Sequence, residues 1–539
     1  MRPELGARWR RRVLILLAGA ASALSFAPGP LPAWLLPFVQ IVTLSFLVAQ
    51  TLSAANPRQA ALSGWLFATA QFAVGVYWLT ISMHQYGGLA LPLAIAALLI
   101  FSAAMALYAA AACALCAWLC AHTRQPEQPA PRQILNALIW ASSWTLFEWL
   151  RGTLFTGFTW LNIGYAHAEG MLAAWAPVVG VYGVAWLAAF AAAAIALMAR
   201  AKDSPPYDRS AASVVVLALA SGLIGIAGAH VEWAAPEGAT LMVRLVQPAT
   251  PQSEKFDPQQ FNRTVTEALH LADLPAKDEA GHPDLIVLPE TVMPIFQDQI
   301  PGRIWQQWQD VAKNQQATLI LGVPLHTQTV DGNRYTNGAI ALKPDESLAP
   351  GAPQPWHYDK HHLVPFGEFI PPGFHWFVHA LQIPLGDFNR GPLIQPLLQV
   401  DGQAIALDIC YEDTFGEEIA AQVAPRTDGS SGANLLVNIS NLGWFGHSWA
   451  LRQHLWMARM RALETARPLI AATNTGITAV ISPDGQVRGA LDPATPGVLD
   501  AEVRGTQGLT PYVRWRNTPI LVWLALCLLA GLLKRRKAR

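Results

Sequence analysis

The chain has 539 residues, too many for one hydrophobic core, so two or more domains are expected. Charged residues make up 13% of it, where about a quarter is usual, and hydrophobic residues 53%. The shortage of charge is local, which separates a membrane part from a water-soluble part. Formal net charge is zero, so nothing points to a nucleic-acid partner.

Apolar runs long enough to span a bilayer are expected at 13–28, 31–52, 60–80, 90–120, 133–150, 172–199, 212–230 and 518–533. The first and last are short, and 133–150 contains Glu148. Arg8, Arg10, Arg11 and Arg12 before Ala21-Ser22-Ala23 also resemble a signal peptide, but the charge pattern works only if that segment stays as a span. With the N-terminus inside, Arg2, Arg8, Arg10, Arg11, Arg12, Arg58, Arg124, Arg132, Arg200, Lys202, Arg209 and the tail Lys534–Arg539 all face the cytoplasm. Only Arg151 falls in a short outer loop. The expectation is a bundle of seven helices over 1–230, an outward-facing domain over 231–517, and a last span with a basic tail over 518–539. Both termini are then cytoplasmic and, in a bacterium, the polar domain lies in the periplasm against the inner membrane. Glu148 and Arg151, one helical turn apart, read either as a local ion pair or as a contact to a lipid headgroup or substrate.

In the polar part short β-branched runs alternate with helical patterns. Strands are expected at 240–246, 285–288, 318–323, 337–343, 404–409, 434–438, 469–473, 478–482 and 486–488, and helices at 258–272, 303–314, 417–424 and 447–466. Such alternation indicates an α/β layered domain.

Three strand ends deliver polar residues, where α/β enzymes place their chemistry. Asp284-Leu-Ile-Val-Leu-Pro-Glu290 delivers Glu290; His357-Tyr-Asp-Lys-His-His-Leu-Val-Pro-Phe-Gly-Glu368 delivers Lys360 and Glu368; the run 404–409 delivers Cys410. Cys113, Cys116, Cys120 and Cys527 lie in apolar segments, so Cys410 is alone in the polar part. Its neighbours Asp408, Glu412 and Asp413 make a thiol there a poor nucleophile, because negative charge raises its pKa. A lysine beside it is expected to lower the pKa again, and a glutamate to take its proton. Thr414-Phe-Gly-Glu417 reads as a capping box whose free amides favour negative charge near the sulfur. His357, Asp359 and His361 alternate like metal ligands, but no fourth ligand appears and no metal is assigned. His362 reads as a structural hydrogen-bonding residue.

Leu288-Pro-Glu290, Lys360 with its following residues to Glu368, and Cys410-Tyr-Glu412 resemble the Glu–Lys–Cys motifs of the nitrilase superfamily. The eight spans narrow the resemblance to the apolipoprotein N-acyltransferase family, as do Trp149-Leu-Arg-Gly152, Thr156-Gly-Phe-Thr-Trp-Leu161, Ser440-Asn-Leu-Gly-Trp-Phe-Gly446, Met457–Glu464, Arg467-Pro468 and Thr473–Thr478. The resemblance implies a multi-pass α-helical membrane domain plus an αββα sandwich. It also implies a Glu290–Lys360–Cys410 triad supported by Glu368, Tyr411 and Glu412. In the implied ping-pong reaction Cys410 takes an acyl chain from a phospholipid, usually phosphatidylethanolamine. It then passes the chain to the α-amine of the diacylglyceryl-cysteine that begins an apolipoprotein. No cofactor is expected, and a single copy suffices.

Trp149, Phe256, Trp444 and Phe445 are candidates for lipid contact, and the apolar stretch Phe369–Gly391 for a mobile lid. Phe256 stands where the family commonly has tryptophan. Leu442 and His447 replace polar residues common there, which puts a polar role at those two positions in doubt. Two rival readings share parts of the pattern: a membrane-tethered amidase with the same triad, and a transporter or scaffold with a degenerate outer domain.

Overall fold

The computed structural model describes residues 2–121, 130–201, 209–275, 281–330, 332–346, 354–371, 387–427 and 429–537. Two compact units emerge. The first comprises Met1–Thr80, Leu91–Glu232 and Trp515–Arg539, and the second Ile81–Ala90 with Trp233–Arg514.

The first unit is helical. Among the described residues, five helical segments are long and apolar enough to cross a membrane: Ala33–Leu52, Leu91–Leu119, Ala173–Ala199, Ala211–Gly228 and Thr518–Lys537. A sixth counts if the bent pair Pro57–Gly75 and Leu79–Tyr86 is one broken span. Helices Arg2–Ser22 and Ala130–Thr153 occupy the other two expected positions. They carry charge instead, Arg8 to Arg12 in one and Glu148 and Arg151 in the other. The helix at 57 starts three residues before the apolar run because Asn56 caps it: its side chain accepts the Gln59 amide, and Pro57 fits the first turn. Small residues let these helices touch backbone to backbone, since a Cβ on Gly19 would lie 2.0 Å from the Phe67 carbonyl oxygen. Glu148 and Arg151 bind their own loop, the local of the two readings. Arg151 Nη1 donates to the carbonyls of Phe158 (2.7 Å) and Trp160 (2.5 Å), and the Ile163 amide donates to Glu148 Oε1 (3.1 Å).

The second unit holds twelve strands among the described residues: β1 (Ala235–Gln247), β2 (Leu285–Val287), β3 (Thr318–Thr329), β4 (Gly332–Leu342), β5 (His357–Asp359), β6 (Leu398–Val400), β7 (Gln403–Ile409), β8 (Leu435–Ser440), β9 (Leu469–Thr473), β10 (Ala479–Ile481), β11 (Val487–Ala490) and β12 (Gly497–Gln507). They form two six-stranded sheets, ordered β12-β1-β2-β3-β4-β5 and β11-β10-β9-β8-β7-β6. The central pairs β1–β2, β2–β3, β7–β8 and β8–β9 are parallel.

Side chains alternate across each pleat, and both faces are buried. Leu285 and Val287 enter the core between the sheets with Val243, Leu245, Ile405, Leu407, Val437 and Ile470. Ile286 and Leu288 point the other way, into a second core with Leu319, Leu321, Val265, Leu269, Ile304 and Trp308. The last four belong to helices Phe261–Ala272 and Gly302–Gln315, which therefore cover the first sheet. Helices Gly416–Val423 and Trp449–Thr465 pack on β7, β9 and β10 of the second. The layers run helix, sheet, sheet, helix, as the resemblance implies.

Candidate active site

Glu290 follows β2 by three residues. Pro289, lacking an amide proton, ends the pairing. The turn then crosses β3 at Gly322, where any Cβ would lie 2.4 Å from the Pro289 carbonyl oxygen. The carboxylate is buried and held on both oxygens: Oε1 accepts from Asn337 Nδ2 (2.7 Å) and Lys360 Nζ (3.3 Å), and Oε2 from the Asn441 amide (2.8 Å).

Lys360 follows β5 and is 1% exposed. Its main-chain amide donates to the Asn337 carbonyl (2.8 Å), and its ammonium lies 2.9 Å from Glu368 Oε1. Burial disfavours the ammonium, but Glu290 and Glu368 outweigh it and raise the lysine pKa further. Lys360 is thus a permanent cation. Asn337 completes the cluster by donating to both carboxylates, 2.6 Å in the case of Glu368.

Cys410 follows β7 and opens the tight turn Cys410–Thr414. Its φ of +54° is a left-handed conformation costing about 1–3 kcal/mol for a side-chain-bearing residue. Burial first, then Glu290, push its thiol pKa well up; Lys360 and the Asn441 amide pull the other way without prevailing. The lysine lowers the thiol pKa as expected, but burial, which the sequence does not show, exceeds it. The resting sulfur carries its proton, so attack needs a base at that moment.

The helix also starts later than the capping-box reading placed it. Helix Gly416–Val423 is preceded by Phe415, with no side-chain cap, and the Thr414 hydroxyl donates to the Tyr411 carbonyl (2.8 Å). The backbone amide that favours negative charge at the sulfur is that of Asn441.

Glu412 anchors the scaffold. It accepts from the amides of His361 (2.6 Å), His362 (3.0 Å) and Ile409 (2.6 Å) and from the Tyr358 hydroxyl (3.0 Å), tying the ends of β5 and β7 together. Burial pushes it up to about 7, against Lys360 and those amides. Glu368 Oε2 accepts the Val364 amide (2.7 Å). Tyr411 packs edge-on to Phe415 (5.1 Å), on which His362 stacks (3.6 Å) while bonding Glu418 (2.9 Å). Asp359 accepts from Thr336 (2.6 Å), and His361 Nδ1 bonds the Gly391 carbonyl (2.8 Å).

Behind the cysteine lies a buried acid cluster of Asp408, Asp413 and Glu464 with Arg461, whose ion pair to Glu464 is 2.8 Å. Burial pushes Asp413 up to about 7, Arg461 opposing. An acid whose folded pKa exceeds its unfolded value binds more protons when folded. Stability therefore falls as pH rises from about 4 to about 7, and the penalty persists above that window. Asp413→Asn should give a higher Tm than the parent at about pH 8 and no gain at about pH 4. Thermal unfolding in detergent at both pH values checks this, and a gain at neither refutes it.

Sequence reasoning missed Asn337, Asn441, Tyr358 and Lys255. Lys255 Nζ is buried and donates to the Glu290 carbonyl (3.0 Å). Asn441 sits in a quoted motif and Lys255 beside Phe256, so both signals were adjacent to residues already singled out. Of the lipid-contact candidates, Phe256 is 44% exposed and lies 6.0 Å from Trp444, which meets Tyr86 edge-on at 5.8 Å. Phe445 is half-buried in the same turn. Trp149 is half-buried in helix Ala130–Thr153 of the first unit. Most of the expected lid, with Phe374, Trp376, Phe377, Leu381 and Ile383, lies outside the described residues.

Two buried carboxylates, a permanently charged lysine and a protonated cysteine at the ends of β2, β5 and β7 define a carbon–nitrogen hydrolase type of site. Residues 242–512 match the Carbon-nitrogen hydrolase family model, and residues 18–194 match the Apolipoprotein N-acyltransferase N-terminal domain. The apolipoprotein N-acyltransferase of Bordetella bronchiseptica is 48% identical, over 99% of this chain and 98% of its own length. That of Ralstonia nicotianae is 42% identical, over 97% and 94%. A solved carbon–nitrogen hydrolase superfamily protein from Xanthomonas campestris is 18% identical, covers 53% of this chain and 97% of its own, and gives a TM-score of 0.36. The chain belongs to the apolipoprotein N-acyltransferase family.

Proposed function

We propose that this protein transfers an acyl chain from a glycerophospholipid such as phosphatidylethanolamine to the N-terminal α-amine of diacylated apolipoproteins. The grouping of Glu290, Lys360 and Cys410 carries the reading. Glu290 takes the thiol proton as sulfur attacks the ester carbonyl, and Lys360 faces the developing oxyanion. The carbon–oxygen bond breaks, the proton passes to the departing lysophospholipid oxygen, and Cys410 holds a thioester. The lipoprotein amine then attacks, yields its proton through Glu290, and forms the amide as the thiol is restored. Glu368, Asn337 and Glu412 position the triad.

The reaction requires no nucleotide, because the thioester keeps the ester's activation. Drawing either substrate into water would expose its chains at about 0.8 kcal/mol per methylene, so a site on a membrane-anchored protein suits both. The arginine asymmetry supports eight spans over 1–230 and 518–539, both termini cytoplasmic and residues 231–517 periplasmic.

Intact-mass analysis after exposure to phosphatidylethanolamine vesicles tests this reading. One fatty acyl group is expected on Cys410, released by hydroxylamine, with an equivalent of lysophospholipid formed. Cys410→Ala should carry none. An adduct on another residue removes the assigned nucleophile, and hydrolysis of small amides without lysophospholipid favours a tethered amidase.

A further inference from the structure

Lys255 has no part in the chemistry above, yet its ammonium is built into the same centre. It ends the short turn Gln252–Lys255 and is 4% exposed. Its one hydrogen bond to a protein acceptor among the described residues is to the main-chain carbonyl of Glu290, at 3.0 Å. The adjoining cavity, lined by Thr250, Pro289, Val292 and Asn474, is about 10 Å³, room for a single water at most.

The turn itself is tied to the loops that carry the reacting groups. Asn474 Nδ2 donates to the Thr250 carbonyl (2.9 Å) and to Asn441 Oδ1 (3.0 Å), and Asn441 Nδ2 donates to Gln252 Oε1 (3.1 Å). The Asn441 amide holds Glu290 Oε2. Lys255 thus grips Glu290 from the main-chain side, while Asn337, Lys360 and Asn441 grip its carboxylate. That carbonyl lies just before Thr291, whose φ is +48°. A turn in a sparsely populated conformation holds its shape only when its surroundings fix it.

We propose that Lys255 is a positioning residue for acyl-enzyme formation, acting through Glu290: its ammonium clamps the turn that aims the general-base carboxylate at Cys410. The inference rests on the acyl-transfer reading above. A charge-assisted hydrogen bond is roughly twice as strong as a neutral one, so the clamp weakens when the ammonium loses its proton. Burial lowers the Lys255 pKa to about 7, while Glu290 and Cys410, the charged and titratable groups facing it, pull it back up. Lys360, Glu368 and His454 share the same centre; the first stays protonated, and burial favours the neutral form of the histidine. The clamp is therefore strongest below about pH 7 and relaxes above it.

The test uses the full chain in detergent with phosphatidylethanolamine as donor, following thioester formation by intact mass and lysophospholipid release. The wild-type rate of acyl-enzyme formation should fall as pH rises through about 7. Lys255→Met should slow the step at least about tenfold at about pH 6.5, with KM for phospholipid within about twofold, and should shrink the inflection. Lys255→Arg, which keeps its charge over the whole range, should recover most of that loss and also show the smaller inflection. Because Glu412 also lies at about 7, the outcome that counts is the size of the change: an inflection in Lys255→Arg as large as the wild-type one, or a Lys255→Met rate within about twofold of wild type, overturns the proposal. Should Lys255→Met fail to fold, the arginine profile alone decides. A wild-type protein that forms no thioester on Cys410 refutes the acyl-transfer reading instead, a separate outcome.

Discussion

Glu290→Gln should slow acyl-enzyme formation by about 10²–10⁴-fold, the usual worth of a positioned general base. The physical reason is the state of the sulfur. Burial and the neighbouring acids keep Cys410 protonated, so no standing thiolate does the work, and the proton must leave during attack. Glutamine has the shape of glutamate but cannot take that proton. It also meets donors on both sides, since Oε1 serves Asn337 and Lys360 and Oε2 serves the Asn441 amide. Whichever oxygen becomes an amide group then faces a donor. Single-turnover release of lysophospholipid measures the step, and a rate within about fivefold of wild type removes Glu290 as the base.

Lys360→Met should abolish transfer and also lower stability by about 3–5 kcal/mol, the cost of stripping one partner from a buried ion pair. Glu290 and Glu368 both lose their cation inside a site where Lys360 is 1% exposed. Thermal unfolding at neutral pH gives the answer. A Tm equal to wild type at neutral pH shows that the two carboxylates do not depend on Lys360.

The strands legible in the sequence are those buried on both faces, such as β2, β3, β7 and β8, whose apolar runs leave little choice. The ones not seen lie at sheet margins or are three residues long. β12 borders its sheet, next to β1, and reads Gly497-Val-Leu-Asp-Ala-Glu-Val-Arg-Gly-Thr-Gln507, with Glu502 and Arg504 exposed. β6 is three residues at the opposite sheet's margin. Glu290 and Cys410 were legible because each follows a recognisable strand, and Lys360 because of the motif His357–Glu368 that carries it. Asn337 was not, because it lies inside β4, where a single asparagine looks like an interruption of the pattern, not a bridge between carboxylates. The sign of the thiol shift was missed for another reason: the sequence gives the charges near Cys410 but not the depth of burial, and depth is the larger influence.

Ten residues that the chain reaches early, Ile81–Ala90, group with the second unit and not with the helices on either side of them. Ser82 Oγ donates to the Trp444 carbonyl (2.9 Å), and Tyr86 covers the indole of the same residue. A fragment cut at residue 233 to study catalysis in isolation leaves this piece behind. It would bare a tryptophan two residues short of Gly446 and let the turn drift, so its weakness as a catalyst would say nothing about the triad.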